Sequence, residues 1–401
     1  MKITGVVAEY NPFHAGHEYQ LKMARELSGC DCLAVVMSGN YVQRGEPAII
    51  DKFKRAESAI YGGADIVIEL PMPFSCQNAE MFAFAAINEL SKLHVDSISF
   101  GCENDNVKLL EQIAQLQLLP EFNNSIKIEM KKGLSYPNAM SNALKSVLGN
   151  EAEVVYSPNN VLAIEYIKSA IKLNMNLDYY PVKRLGMNHN DTEISGPFHS
   201  ASAIRKSIMD GSYNNLNLNL TQKSIEMIEK FYTEHKNYNT LNNYLDYLYY
   251  KIINTEDLKS IFEIKEGIEN KILSQVYKHE NIDDLIMSLK SKRYTYSKLR
   301  RSLLNILLDI KLVDIIKIMS TNSGYIKVLS FNNNGRKAIK YATSKEIKVI
   351  NRYSDYKKYN LRPENLPIFN ITNRSSNIYY LPLKNRKINS EYTENAVYVD
   401  I

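Results

Sequence analysis

Two histidines three residues apart, His14 and His17, enclose Ala15 and Gly16, directly behind an apolar run, Ile3 to Ala8, and a polar turn, Glu9-Tyr10-Asn11-Pro12-Phe13. A helix-like stretch, Glu18 to Leu27, follows. Strand, turn and helix in that order put the histidines at a helix mouth. Free backbone N–H groups and the positive end of the helix dipole make such a mouth a phosphate site. Gly16 lets the backbone come close to a ligand, because it has no Cβ. Two imidazoles there can donate hydrogen bonds to charge that builds on phosphate oxygens. Alone, the four residues are equally ordinary loop chemistry. Their place between strand and helix ties them to phosphate.

A second mouth of this kind lies about 185 residues on, by the spacing that short motifs are judged on. Ser200-Ala201-Ser202-Ala203-Ile204-Arg205 opens a helix. Serines at a helix start serve as N-caps. They can equally hold a phosphate, with Arg205 adding charge.

The intervening chain supplies the elements that must position these residues. Cys32 to Met37 reads as a buried strand ending at Ser38-Gly39-Asn40, and Tyr41 to Pro47 is a loop of unusual polarity between apolar elements. Asp51 caps a helix running to about Tyr61, with Gly62-Gly63 as its stop. Asp65 to Leu70 and Val95 to Phe100 read as strands, with an apolar helix, Ala79 to Leu93, between them. Leu109 to Gly149 is mostly helical, and the turn Tyr156 to Asn160 opens a helix over Val161 to Leu173. Leu177 to Val182 is a fifth strand, ending in Lys183-Arg184. Strands alternating with helices predict a parallel sheet with helices on both faces, and ligands at the carboxyl ends of its strands.

From Asn214 to about Ser320 the pattern is helical without strand alternation, and Gly324 to Ile401 mixes short strand-like and helical pieces. The expected organisation is thus α/β: a catalytic domain over 1–212, a helical domain over 213–323, and a mixed region over 324–401. The last region has no role assigned by its sequence. A length of 401 residues fits two or three domains.

Charge divides the same way. Met1 to Val182 carries 15 Lys+Arg against 21 Asp+Glu, a net of −6; Lys183 to Ile401 carries 34 against 23, a net of +11. A basic second half suits a polyanion, although lysine-, asparagine- and isoleucine-rich composition also follows from nucleotide bias. Within it, Lys292, Arg293, Tyr294, Tyr296, Lys298, Arg300 and Arg301 bring five cations and two tyrosines into ten residues. That pattern suits phosphate contact plus base stacking on RNA.

No run of about 18 or more apolar residues occurs, so no membrane span is expected. The N-terminus enters a strand at once and lacks a signal peptide's cleavage region. Cys30, Cys32, Cys76 and Cys102 have no metal spacing and read as buried thiols of a cytoplasmic protein. No metal ligands are expected. His94, His235 and His279 match no motif, and His189 and His199 are given no role.

The His-x-Gly-His turn and the later Ser-x-Ser-Ala-Ile-Arg helix start resemble the HxGH nucleotidyltransferases, which implies a Rossmann-like fold. The longer strings GVVAEYNPFHAGHEYQL, YVQRGEPAIIDKFKRAESAIYGGADIVIELP and KRYTYSKLRR look like the bacterial tRNA(Met) cytidine acetate ligase family. The resemblance runs over essentially the whole chain. It implies that ATP and acetate give acetyl-adenylate and pyrophosphate, and that N4 of the wobble cytidine of elongator tRNA(Met) then takes the acetyl group, releasing AMP. His14, His17, Ser202 and Arg205 would stabilise the phosphates. ATP would lie along Val7, Ala8, Glu9, Tyr10, Asn11, Pro12, Phe13, His14, Ala15, Gly16, His17, Glu18, Tyr19 and Gln20. Further contacts would come from Gly101, from Asn159 in preference to Asn160, and from Arg184. Mg²⁺ would accompany the nucleotide. Oligomeric state is open.

Two other functions compete. A nucleotidyltransferase adenylylating a small metabolite gives no reason for a +11 half. A non-catalytic RNA-binding protein gives no reason for two intact helix mouths.

Overall fold

The apolar runs pair as their spacing demands. The structure is a computed structural model describing residues 1–184, 200–211, 219–265, 267–291, 294–319 and 324–401. Its strands are β1 Ile3–Ala8, β2 Cys32–Ser38, β3 Tyr41–Val42, β4 Glu46–Pro47, β5 Ile66–Leu70, β6 Ser97–Cys102, β7 Asp178–Lys183, β8 Tyr325–Phe331, β9 Lys348–Ile350 and β10 Val397–Tyr398. One sheet runs β10-β8-β5-β2-β1-β6-β7, with β9 also on β8, while β3 and β4 form a separate hairpin. The path β5-β2-β1-β6-β7 is parallel throughout. Strand order reverses at β1, which lies between β2 and β6. In an open α/β sheet this reversal opens a crevice beyond the strands' carboxyl ends.

Every residue of β2 is buried. Cys32, Ala34 and Val36 pack into one apolar cluster and Leu33, Val35 and Met37 into another, as period-two alternation requires when helices cover both faces.

Several boundaries move for local reasons. The first helix begins at Ala15, not Glu18, because His14 caps it. The fourth long strand extends to Cys102, because Gly101 and Cys102 pair with Val182 and Lys183 of β7. Gly101 and Cys102, beyond the expected end at Phe100, are therefore strand. The helix expected from Val161 starts at Pro158, a residue suited to a first helical turn.

Among the described residues, 219–319 contains helices and short 3₁₀ turns but no named strand. Its apolar stripes do not close on themselves. Phe231, Tyr244, Ile272 and Leu303 share one cluster with Tyr41, Ile49 and Ile204 of the first region and with Tyr356, Phe369 and Tyr379 of the tail. The tail, which had no expected role, extends the main sheet. β8 lies antiparallel on β5, with Ile66 opposite Phe331, and carries β9 and β10. The expected boundaries at 212/213 and 323/324 fall at segments outside the described residues. No described helix is long and apolar enough to cross a membrane.

Candidate functional site

The site begins where β1 ends. Tyr10 takes a left-handed backbone angle, φ 48°, and the Asn11–Pro12 bond is cis. Asn11 Oδ1 accepts from Ile49 N–H (2.8 Å). Arg55, fully buried, donates to the carbonyls of Glu9 (2.6 Å), Ser38 (3.1 Å), Ile50 (3.1 Å) and Gly39. One guanidinium thus ties together the chain ends leaving β1 and β2, an economical use of five fixed donors. Phe13 is buried against Gly62, where any Cβ would lie 2.2 Å from Phe13 Cζ.

His14 and His17 form a reciprocal cap. His14 Nδ1 accepts from Gly16 N–H (3.1 Å), and His17 Nδ1 accepts from His14 N–H (3.2 Å). This is the hydrogen-bond pattern of a Ser-x-x-Glu capping box, made with imidazoles. With Nδ1 an acceptor on both rings, each neutral imidazole carries its proton on Nε2. Burial lowers the pKa of His14 to about 3, and the charge of Arg184 adds to this. Burial lowers His17 too, followed by His14 and Arg184. The rings stack with centroids 3.6 Å apart, and Tyr10 packs on His17 at 4.7 Å. Two neutral Nε2–H donors therefore stand side by side at the mouth.

One expectation is corrected here. The backbone N–H groups of this mouth are not free. Ala15 donates to Asn219 O (2.8 Å), Gly16 to His14 Nδ1, and His17 to His14 O (2.8 Å). The groups this mouth has left to offer an anion are side chains, the imidazoles foremost. The Tyr10 hydroxyl and Asn11 Nδ2 are buried with no hydrogen-bond partner among the described residues.

The other residues expected to hold nucleotide divide into two groups. Gly101, Arg184 and Gln20 converge: a Cβ at Gly101 would lie 3.8 Å from Arg184 Cγ and 4.0 Å from Gln20 Nε2. Arg184 donates to Asn159 Oδ1 (3.4 Å), and Asn159 Nδ2 donates to Glu103 (2.6 Å). Asn160 is buried and spent on the backbone, its Oδ1 accepting from Glu103 N (3.0 Å) and Asn104 N (3.2 Å). Asn159 is the member of the pair that faces Arg184. Val7 and Ala8 end β1, Tyr19 and Gln20 are half-buried on the first helix, and Glu18 there is exposed.

The second mouth reaches the first through Arg205. Ser200 caps its helix, accepting from Ala203 N–H (3.2 Å). Arg205 donates to Asn11 O (2.9 Å), Ser202 Oγ (3.3 Å) and Glu46 Oε1 (3.0 Å). Burial pushes the Glu46 carboxyl up, but Arg205 and Arg300 together hold it below its ordinary value. Glu9 stays raised by burial, with Glu46 adding repulsion and the Gln43 N–H offsetting part.

The basic segment is more deeply folded than its charge suggests. Tyr294 is buried with its hydroxyl on Lys265 O (2.6 Å), so its ring is not available to stack on a base. Lys298 Nζ sits over that ring at 3.9 Å. Tyr296 donates to Asp283, Arg301 pairs twice with Glu263 (3.1 and 3.2 Å), and Arg300 pairs with Glu46. Lys292 and Arg293 lie outside the described residues, as do His189 and His199.

Sequence reasoning missed Glu46, Arg55 and Glu103. The one available signal was the polarity of the Tyr41–Pro47 loop; partners as distant as Glu46 and Arg300 leave no local trace.

A family model described as HIGH Nucleotidyl Transferase matches residues 1–395. The tRNA(Met) cytidine acetate ligase of Clostridium perfringens is 38% identical over 409 residues, covering 98% of each chain. That of Caldicellulosiruptor saccharolyticus is 35% identical over 408 residues, covering 100% of this chain and 99% of the relative. Crystal structures of Thermotoga maritima TmcAL, 31% identical over the whole of both chains, superpose with TM-scores of 0.93 for the apo form and 0.90 for the form bound with alpha-thio ATP. A parallel sheet with its reversal at β1, a capped histidine pair at that reversal and full-length likeness agree: the chain belongs to the HIGH nucleotidyl transferase family and, within it, to the tRNA(Met) cytidine acetate ligases.

Proposed function

We propose that the protein ligates acetate to N4 of the wobble cytidine of elongator tRNA(Met) in two steps. An acetate oxygen attacks the α-phosphate of ATP; the bond to the bridging oxygen breaks, giving acetyl-adenylate and pyrophosphate. The cytidine N4 amine then attacks the acyl carbon. The amine loses a proton, AMP leaves, and N4-acetylcytidine remains. An aromatic amine is a weak nucleophile and free acetate is inert to it, so activation as a mixed anhydride is what the chemistry requires.

The observation that carries this reading is the His14–His17 pair. Two neutral Nε2–H donors, fixed by their own cap, suit phosphate oxygens whose charge grows as pyrophosphate departs. They are poor nucleophile candidates, because each ring's Nδ1 is already committed. Gln20, Gly101, Asn159 and Arg184 would hold the nucleotide from the β6 and β7 side, and Ser202 and Arg205 from the second mouth. Among the described residues no three His, Cys, Asp or Glu side chains converge as a metal site. Mg²⁺ accompanying ATP would be held chiefly by phosphate oxygens and water. Lys298, with Lys292 and Arg293, would meet the tRNA. The setting we propose is cytoplasmic, in keeping with four buried, free thiols.

Mass spectrometry of elongator tRNA(Met), after incubation with ATP, isotopically labelled acetate and the protein, tests the proposal. Labelled acetylcytidine at the wobble position is expected. Its absence, with tRNA and protein intact, would reject the reading.

A further inference from the structure

Glu46, at the end of the β3–β4 hairpin, has both carboxylate oxygens taken by guanidinia from distant parts of the chain. Arg205 holds Oε1 at 3.0 Å and Arg300 holds Oε2. Arg205 also donates to Asn11 O, in the histidine turn, at 2.9 Å. Asn11, Arg205, Glu46 and Arg300 thus form one unbroken chain of contacts from the phosphate mouth. The backbone fixes it further. Gly45 has φ +82°, and a Cβ there would lie 2.6 Å from Arg301 N and 2.7 Å from Arg300 C. The hairpin turn is pressed directly onto the chain at Arg300, which fixes the backbone from which that side chain starts.

The charge count also points to an anion. Arg205, Arg300 and Arg44 all act on Glu46, and Arg205 and Arg44 act on Glu9 as well, so three cations face two carboxylates. Arg300 Nε is buried with no hydrogen-bond partner among the described residues. Planar guanidinia with spare donors suit a multiply charged phosphate chain.

We propose that Arg300 binds the phosphate chain of ATP beside Arg205, and that Glu46 is the positioning residue that holds both guanidinia there. The inference rests on the adenylate-forming reading and deepens it. It moves Arg300 out of the RNA-facing group expected from the sequence and into the half-reaction that needs no tRNA.

The test is acetate-dependent ATP–pyrophosphate exchange by the full chain without tRNA, comparing wild type with Arg300→Ala, Arg300→Lys and Glu46→Gln. Arg300→Ala should lower kcat/KM for ATP by about 10- to 100-fold and leave the KM for acetate unchanged. Arg300→Lys, which keeps the charge, should recover much of the loss. Glu46→Gln, which keeps the shape, should raise the KM for ATP with little change in kcat. Exchange by Arg300→Ala at wild-type efficiency, with tRNA affinity reduced instead, would overturn the proposal. Should Arg300→Ala fail to fold, an unchanged KM for ATP in Glu46→Gln would overturn it equally. Absence of acetate-dependent exchange in the wild type would instead reject the adenylate reading, and this inference with it.

Discussion

His14 and His17 each do two things, and the two can be separated. Each Nδ1 serves the cap, which leaves each Nε2–H outside it. A serine replacing His14 keeps an acceptor for the helix N–H, and a glutamine replacing His17 keeps the capping-box partner, but serine places no donor where Nε2 stands and the glutamine amide lacks the rigid ring that fixes one. His14→Ser and His17→Gln should therefore melt within a few degrees of wild type, while acetate-dependent exchange falls about 10²- to 10³-fold. His14→Ala should lose activity and also about 0.5–2 kcal/mol of stability. Acid gives a second readout. Both imidazoles titrate lower in the fold than in the open chain, so the folded state binds fewer protons. The stability they lend is complete above their ordinary value of 6.5 and drains as pH falls from there toward about 3 for His14. Urea unfolding should show wild type losing stability between about pH 7 and about pH 5 more steeply than the double variant that combines His14→Ser with His17→Gln. Equal slopes would mean the rings are not buried as acceptors.

At the scale of elements, the tail is held by a buried ion cluster. Lys52 Nζ bonds Glu69 (2.6 and 2.8 Å) and Glu391 (2.5 Å), Lys327 pairs with Glu391, and Ser376 Oγ donates to Glu391 (2.6 Å). Burial pushes the Glu391 carboxyl up, yet Lys327 and Lys52 together hold it well below the usual carboxylate range. Removing one member strands a buried charge. Glu391→Ala should cost about 3–5 kcal/mol in denaturant unfolding, and adding Lys327→Met should return part of that by removing the stranded cation. No recovery would mean that β8 is held by its strand pairing alone. The cluster also shows what sequence can and cannot carry. β1, β2, β5 and the Lys52–Tyr61 helix were legible because apolar period and caps are local signals. β8 was not placed in the sheet, because its partner β5 lies some 260 residues earlier and its Lys327 answers a glutamate in the tail. The histidine mouth was legible as a motif, whereas its occupied N–H groups depended on Asn219, a residue with no motif at all.

Over the whole molecule, strands β1 to β6 and the histidine mouth belong to the half with net −6, while the half with net +11 adds β8, β9 and β10 to the sheet and packs its helices beside them. That division predicts tRNA binding that weakens with salt, since each lysine or arginine on a phosphate releases condensed counterions. Composition alone credits every cation from Lys292 to Arg301. Structure divides them, because Arg300 is committed to Glu46 and Arg301 to Glu263, while Lys298 rests over the buried Tyr294 ring. Such a ring acts as a platform that holds an ammonium in place, not as a stacking surface for a base. Lys298→Gln should therefore weaken tRNA binding and make the plot of log affinity against log salt shallower by about 0.7–0.9. Its acetate-dependent exchange should match wild type. Arg300→Ala should give the reverse, with exchange impaired and the salt slope nearly unchanged. Two residues two positions apart on one helix would then report on different half-reactions. Filter binding of elongator tRNA(Met) over a salt series, run beside the exchange assay, measures both. A shared salt-slope defect in the two variants would place Arg300 back on the RNA side and leave Glu46 a structural anchor.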